Sequence, residues 1–214
     1  MKIEILCENP WLELRKMVDK ENGVNGYVYA HEKRCDGKIL SILPFAINLE
    51  GSIEYLLRKE VTPCWGMEPK VSSITGGYEG KNMLDDVRRE LKEEGGYDVS
   101  EDEIISLGTC LGTKSSDTVY HLFSANLTGK PQGEAKGDGS ELEAKAHCFW
   151  SGSIADAEDP FVYVSFCRLR DKLKKFELSK NEPIIENMKR FLSAQEDLDP
   201  KFAKALNENF WNLT

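Results

Sequence analysis

Residues 85–97, DDVRRELKEEGGY, place several carboxylates close together. On a helix, Glu90 and Glu94 stand one turn apart, Glu93 lies beside them, and Asp86 stands one turn before Glu90. Like charges at that spacing repel by about 0.3 kcal/mol per pair when they face water. A divalent cation reverses the sign, because Mg²⁺ prefers oxygen ligands and is commonly shared between carboxylates and substrate phosphates. The spacing is therefore compatible with a metal site that could hold a phosphorylated ligand.

The alternative is a solvated acidic helix face with Arg89 and Lys92 as partners, which is what most charge runs are. The flanking residues favour the metal site. Arg89 is spaced i,i+4 from Glu93 and can hold that carboxylate in place. The preceding segment TGGYEGK is glycine-rich, so a phosphate-bearing ligand could approach its backbone near Gly77.

The elements around this helix predict a mixed α/β domain of the α+β type. The helix is expected to begin at Met83 after an Asn82 cap and to end at Gly95-Gly96. Period-two and continuous apolar runs predict strands in the following segments: IEIL, WLELRKMV, GYVYAHEKR, KILSILPFAIN, SIEYLLRKEV, VSSIT, IISLGTCLGT, TVYHLFSANL and AKAHCFW. The runs KILSILPFAIN and SIEYLLRKEV are expected to form a hairpin.

The chain is expected to become helical after residue 159. An apolar face formed by Val162, Phe166, Leu169, Leu173 and Phe176 predicts one helix, and further helical segments are expected from Pro183 and from Asp199-Pro200. The expected organisation is a β-rich N-terminal subdomain over 1–36, a main mixed domain over 37–176 and a helical extension over 177–214. The segment GKPQGEAKGDGS is expected to be a mobile loop.

Bulk properties exclude several classes of protein. The 214 residues carry a net charge of −9, which argues against nucleic-acid binding, since that needs basic surfaces. No apolar stretch is long enough for a transmembrane helix, and the start MKIEILCENP lacks a signal-peptide layout. The six cysteines form no CxxC pair, so reduced thiols in a cytoplasmic protein are expected.

The run from Arg89 to Tyr97, RELKEEGGY, resembles the second half of the Nudix box, whose pattern is G-x5-E-x7-R-E-U-x-E-E-x-G-U with U apolar. The first half departs from that pattern. Lys81 stands where the family has Glu, and only three residues separate it from Gly77. Glu79 lies close by and could compensate. The resemblance implies a loop–helix–loop whose glutamates Glu90, Glu93 and Glu94 bind Mg²⁺ or Mn²⁺, with Arg89 orienting them.

Segments outside the box resemble the ADP-ribose pyrophosphatase branch of that family. The similar segments are GYVYAHEKR, ILPF and EYLLRKEV before the box and SSDTVYHLF after it. The resemblance implies a Nudix-type mixed β-sheet between helices and a homodimer formed through a small N-terminal β-subdomain. It implies hydrolysis of the pyrophosphate bond in a nucleoside diphosphate linked to another moiety, such as ADP-ribose. A nucleotide-binding regulator of the same fold is the alternative, favoured by the acid missing at Lys81.

Hydrolysis also requires a general base, which the resembled branch takes from a loop after the box. The segment GEAKGDGSELEAKA offers four acids: Glu134, Asp138, Glu141 and Glu143. Glu141 is the first choice and Glu143 the second, because both adjoin the next strand; the alternative is that all four only solubilise a loop. Glu141 and Glu143, together with Glu93 and Arg89, are the expected catalytic residues.

Substrate contacts are less well defined by the sequence. Backbone at Gly77 and the side chains of Arg58 and Lys114 could meet phosphates, and Trp65 could stack on a base. The alternatives are ordinary core aromatics and exposed strand or turn residues. The three histidines have no metal-ligand spacing, so core or surface roles are expected for them.

Overall fold

The computed structural model describes residues 1–80, 82–136 and 145–179, with side chains described up to residue 174. This part of the chain has an α+β arrangement, in which eight strands precede the first α-helix and three more precede the second. The strands are β1 (Lys2–Glu8), β2 (Leu12–Asp19), β3 (Val24–Glu32), β4 (Lys38–Ile42), β5 (Phe45–Ile47), β6 (Ile53–Glu60), β7 (Lys70–Ser72), β8 (Ile74–Gly77), β9 (Ile104–Leu111), β10 (Val119–Ala125) and β11 (His147–Ser151). The helices are α1 (Met83–Glu93) and α2 (Pro160–Ser179).

The first three strands form an antiparallel sheet of their own, in the order β1-β2-β3. A turn that contains Gly23, with φ of 74°, joins β2 to β3, as the Asn-Gly dipeptide there predicts. The three strands expected in the first 36 residues are therefore confirmed. The sheet is tied to the rest of the chain where Ala30 pairs with Ser116 and where the His31 ring contacts the Asp117 carboxylate at 3.0 Å.

Two further sheets make up the remainder. One has the order β8-β4-β10-β9, with β4 and β10 parallel and the other pairs antiparallel. The other has the order β11-β6-β5, with β7 also paired to β6. The predicted hairpin is confirmed for the second part of KILSILPFAIN, because β5 and β6 pair antiparallel from Phe45↔Tyr55 to Ile47↔Ile53. The first part of that run is β4, which lies in the other sheet, so the single strand expected for the run is wrong.

The single strand expected for VSSIT is wrong, because Ser73 divides it into β7 and β8, which belong to different sheets. The backbone N–H of Ser73 donates to the Asp159 carboxylate at 3.2 Å, and its hydroxyl donates to the same oxygen at 2.6 Å. Ser73 is fully buried, so its N–H needs a partner, and the carboxylate replaces the ladder bond at this residue.

The second and third sheets are packed between the two helices. Adjacent residues of β6 point to opposite faces, so Leu56 joins the core beneath α1 and Leu57 joins the core beneath α2. Val87 and Leu91 of α1 are fully buried, and burying each side chain contributes about 2 kcal/mol. Val162 and Leu169 of α2 are equally buried in the second core, which confirms the predicted apolar face at those two positions.

The sequence also predicted C-terminal helices and reduced cysteines. The helices expected from Pro183 and from Asp199-Pro200 lie outside the described residues. The six cysteines all lie within the described part, and all are free thiols. Burial raises the pKa of Cys148 to about 11. Among the helices of the described residues, none has the length and apolar character needed to cross a bilayer.

Candidate functional site

The acidic helix α1 has well-formed ends, which fixes the carboxylates that it carries. Asn82 is the N-cap, and its side-chain oxygen accepts a hydrogen bond from the Leu84 N–H at 3.2 Å. At the other end Gly96 adopts φ of 76°, and the Tyr97 N–H donates to the Leu91 carbonyl at 3.0 Å. This glycine-terminated ending satisfies carbonyls of the last turn, and both predicted helix ends are confirmed.

Arg89 is the centre of a carboxylate cluster on one side of α1. Its guanidinium lies 2.9 Å from Glu90 Oε1, 3.2 Å from Glu93 Oε2, 3.6 Å from Asp86 Oδ1 and 3.2 Å from Glu79 Oε1. Three of these acids belong to the helix and one to the loop before it. Because a guanidinium presents five donors in a rigid fork, one arginine can orient several carboxylates at once.

Glu90 is, together with Asp86, the most enclosed carboxylate of the cluster, and 6% of its surface is exposed. Burial raises its pKa from 4.5 to about 7; the Arg89 guanidinium opposes that rise, and the Glu93 and Asp86 carboxylates add to it. Space for the side chain exists because the facing strand residue, Gly76, has no Cβ: a Cβ there would stand 2.1 Å from Glu90 Oε1.

A second arginine holds the end of the helix from the sheet side. Arg58 on β6 is 2% exposed, with its Nε 2.8 Å from Glu60 Oε2 and its Nη1 3.2 Å from Glu94 Oε2. We expected Arg58 to meet substrate phosphates. The contacts described for its guanidinium are instead with carboxylates.

These groups surround one cavity of about 340 Å³ between α1, the end of β8 and the turn before β4. Its walls contain the predicted Gly77, Arg89, Glu90, Glu93 and Glu94. They also contain Tyr78 and Glu79, of which Glu79 was expected to compensate for the missing acid. The sequence analysis did not assign the other lining residues to the site: Arg34, Cys35, Glu60, Thr75 and Gly76. Arg34, Cys35 and Glu60 are far from the acidic helix in sequence, and no local spacing linked them to it.

The loop after β10 begins against the carboxyl end of α1. The Gly133 N–H donates to the Gly96 carbonyl at 2.7 Å, and the Lys136 N–H donates to the Glu93 carbonyl at 2.8 Å. Residues 133–136 are therefore held against the carboxyl end of α1. The expected bases Glu141 and Glu143 lie outside the described residues, as do Asp138 and Lys81, while Glu134 is described and exposed.

Two other expected substrate contacts are not among the cavity residues. Trp65 is half exposed in a short 3-10 helix (Pro63–Trp65) after β6. Lys114 lies between β9 and β10, where its carbonyl accepts a hydrogen bond from the Tyr27 hydroxyl. Their assignment as substrate contacts stays a prediction.

The donor chemistry of the cavity suits a hard divalent cation, since Glu60, Glu79, Glu90, Glu93 and Glu94 all contribute carboxylate oxygens to its walls. Within residues 1–80, 82–136 and 145–179, however, no three acidic, histidine or cysteine side chains converge on one point as a ready ligand set. The guanidinium groups of Arg89 and Arg58 instead form ion pairs with these carboxylates.

Comparison with known proteins shows the fold. Among solved structures, an ADP compounds hydrolase of the Nudix family superimposes with a TM-score of 0.61 and 14% sequence identity, over 82% of this chain and 93% of that one. The chain has a Nudix-like fold. At the level of sequence no known protein family matches the chain. No curated protein matches it either.

Proposed function

We propose that this chain hydrolyses the pyrophosphate bond of a nucleoside diphosphate linked to another moiety, such as ADP-ribose or another nucleotide sugar, with Mg²⁺ or Mn²⁺. One observation carries the proposal. Glu90, Glu93 and Glu94 open into a single cavity with the backbone of Gly76 and Gly77. A carboxylate-lined cavity repels a diphosphate unless a cation stands between them, so this arrangement favours a metal–diphosphate complex.

The fold supports the same conclusion, because the structural neighbour is an ADP compounds hydrolase that covers most of this chain. In the proposed site Glu90, Glu93 and Glu94 would hold the cation. A divalent ion bound there would neutralise charge that builds on the phosphate oxygens and would lower the pKa of an attacking water.

The protein's own groups position these parts. Arg89 fixes Glu90 and Glu93 through contacts of 2.9 and 3.2 Å. Gly76 of β8 leaves room for the Glu90 side chain, because it has no Cβ. The proton of the attacking water would pass to a carboxylate of the acidic loop, for which Glu141 and then Glu143 are our choices. The hydrogen bond from the Lys136 N–H to the Glu93 carbonyl holds the start of that loop against the carboxyl end of α1, which supports this choice.

A screen of nucleotide sugars, dinucleotides and nucleoside triphosphates, read as phosphate-containing products released with Mg²⁺ or Mn²⁺, tests the proposal. Glu94→Gln should abolish release. The matched control is Asp85→Asn on the same helix, because Asp85 is exposed and pairs with Arg88 rather than with the cavity. If no compound of the three classes is cleaved, or if Glu94→Gln cleaves at the wild-type rate, the proposal is wrong.

A nucleotide-binding regulator of the same fold is the second candidate. It is favoured by the arginine contacts of the carboxylates and by the lack of three convergent ligand groups among the described residues. Such a protein should show a higher melting temperature with ADP-ribose but no product after prolonged incubation with either cation. Turnover in the screen would eliminate this candidate.

A further inference from the structure

Strand β6 inserts a buried charge between two carboxylates of the cavity. Arg58 contacts Glu60 on its own strand and Glu94 at the end of α1. Its backbone is held from both sides, since it pairs with Cys148 of β11 and with Ser72 of β7. Because the backbone of Arg58 is paired with strands on both sides and its side chain is buried, its guanidinium has a fixed position.

The two contacts of Arg58 differ in what they join. The contact with Glu60 lies within one strand, and Glu60 is further held by the Ser72 hydroxyl, which donates to its other oxygen at 3.4 Å. The contact with Glu94 crosses from the sheet to the C-cap residue of α1. Glu60 and Glu94 both belong to the cavity wall, and Arg58 stands behind them.

The carboxylates of the cavity are therefore held in two groups. Arg89, on the helix itself, contacts Glu79, Glu90 and Glu93, whereas Glu94 is contacted from the sheet by Arg58. A buried arginine has lost much of its hydration and is retained at a substantial desolvation cost, so its contacts with carboxylates have to compensate. Replacing Arg58 with a neutral residue removes the positive charge beside Glu60 and Glu94 and allows the Glu94 carboxylate to rotate.

We propose that Arg58 is a positioning residue for the cation site: anchored by Glu60, it sets the direction of the Glu94 carboxylate from the sheet and does not contact the substrate. The inference rests on the proposed function, because it assigns Glu94 to the cation. We had expected Arg58 to contact a substrate phosphate; in this proposal it acts only through the Glu94 carboxylate.

The test measures Mn²⁺ binding to the full chain without nucleotide, by the electron paramagnetic resonance signal of free Mn²⁺. Arg58→Gln should weaken binding by about 10- to 100-fold, which is typical when the partner of a metal ligand is removed. Arg58→Lys keeps the charge but can contact fewer carboxylate oxygens, so its Mn²⁺ affinity should fall less than that of Arg58→Gln. Glu60→Gln removes the charge that anchors Arg58 and also a carboxylate of the cavity wall, so it should weaken Mn²⁺ binding as well. Arg88→Gln is the control, because Arg88 bonds the Val99 carbonyl, and it should bind Mn²⁺ like the wild type.

Several outcomes separate the roles of Arg58. Wild-type Mn²⁺ affinity in Arg58→Gln, with a raised KM for ADP-ribose, would make Arg58 a phosphate contact and overturn the proposal. A lowered melting temperature with unchanged Mn²⁺ affinity would make its role purely structural and would also overturn it. If Arg58→Gln does not fold, Arg58→Lys decides: wild-type Mn²⁺ affinity there contradicts the proposal, and weakened affinity supports it.

The same measurements distinguish a failure of the proposed hydrolase function from a failure of the positioning role of Arg58. Wild-type protein that binds Mn²⁺ but cleaves no nucleotide would contradict the hydrolase, while weaker Mn²⁺ binding by Arg58→Gln would still support the positioning role. Wild-type protein that takes up no Mn²⁺ would contradict both.

Discussion

Gly76 on β8 and Glu90 on α1 face each other so closely that a Cβ on Gly76 would stand 2.1 Å from the Glu90 carboxylate oxygen. The backbone of Gly76 is not in the left-handed region, so alanine is conformationally acceptable there. Space, rather than backbone conformation, excludes a side chain.

Gly76→Ala should therefore displace the Glu90 carboxylate from its position between Arg89 and β8. We expect a loss of about 10- to 100-fold in Mn²⁺ affinity or in hydrolysis, and a fall of about 1 to 3 kcal/mol in the free energy of unfolding from overpacking. Gly152→Ala is the control, since a Cβ there meets nothing within 4 Å. Wild-type affinity in Gly76→Ala would show that Glu90 does not contribute to cation binding.

Gly96 combines a left-handed backbone with a close contact to the loop after β10. Its φ is 76°, and a Cβ there would stand 2.5 Å from the Gly133 carbonyl oxygen. Gly96→Ala should lower the free energy of unfolding by more than the 1 to 2 kcal/mol that left-handed alanine costs, roughly, and should reduce activity by moving the acidic loop.

Gly23→Ala isolates the conformational part of that effect, because Gly23 has φ of 74° and open space around it. Urea unfolding of both variants measures the difference. Equal losses of unfolding free energy in the two variants would mean that the close contact between Gly96 and the loop does not contribute to stability.

His121 on β10 should make the stability of the protein depend on pH. Burial lowers the pKa of His121 below 6.5, and the nearby Lys38 lowers it further. Below about pH 6.5 the unfolded chain then binds more protons at this residue than the native protein, so the free energy of unfolding falls as pH falls. At higher pH the residue is neutral in both states and the effect disappears.

Urea unfolding at pH 7.5, 6.5 and 5.5 measures this slope. In His121→Gln, which has no titrating ring, the decline between pH 6.5 and 5.5 should be smaller than in the wild type. An unchanged slope would assign the decline to other groups.

The first sheet leads us to expect a homodimer. Leu12, Leu14 and Val28 project from one face of it and are 46, 38 and 44% exposed, while Arg15 and His31 on the other face contact Asp117. Contiguous exposed apolar residues are typical of protein–protein contacts. Leu14→Asp should give a monomer by light scattering at micromolar concentration. Leu111→Asp, at an exposed leucine on β9, should not change the mass. A monomeric wild type would contradict the expectation.

The carboxylate helix was predictable because its chemistry is local. A helix repeats every 3.6 residues, so the positions of Arg89, Glu90, Glu93 and Glu94 relative to one another follow from spacing alone. The Asn82 cap and the Gly96 ending are equally local, and both occur as predicted. Strand existence followed from apolar runs. The division of VSSIT at Ser73 did not, because its cause is Asp159, 86 residues away.

The sequence alone determined which residues share the acidic face of α1 and where that helix begins and ends. Tertiary structure decided what stands opposite: Gly76 makes room for Glu90, Arg58 and Glu60 arrive from β6, and Gly133 docks on Gly96. The physical reason is that side-chain spacing within one helix is set by backbone geometry. Contacts between distant elements depend on strand order and register, which no short stretch of sequence encodes.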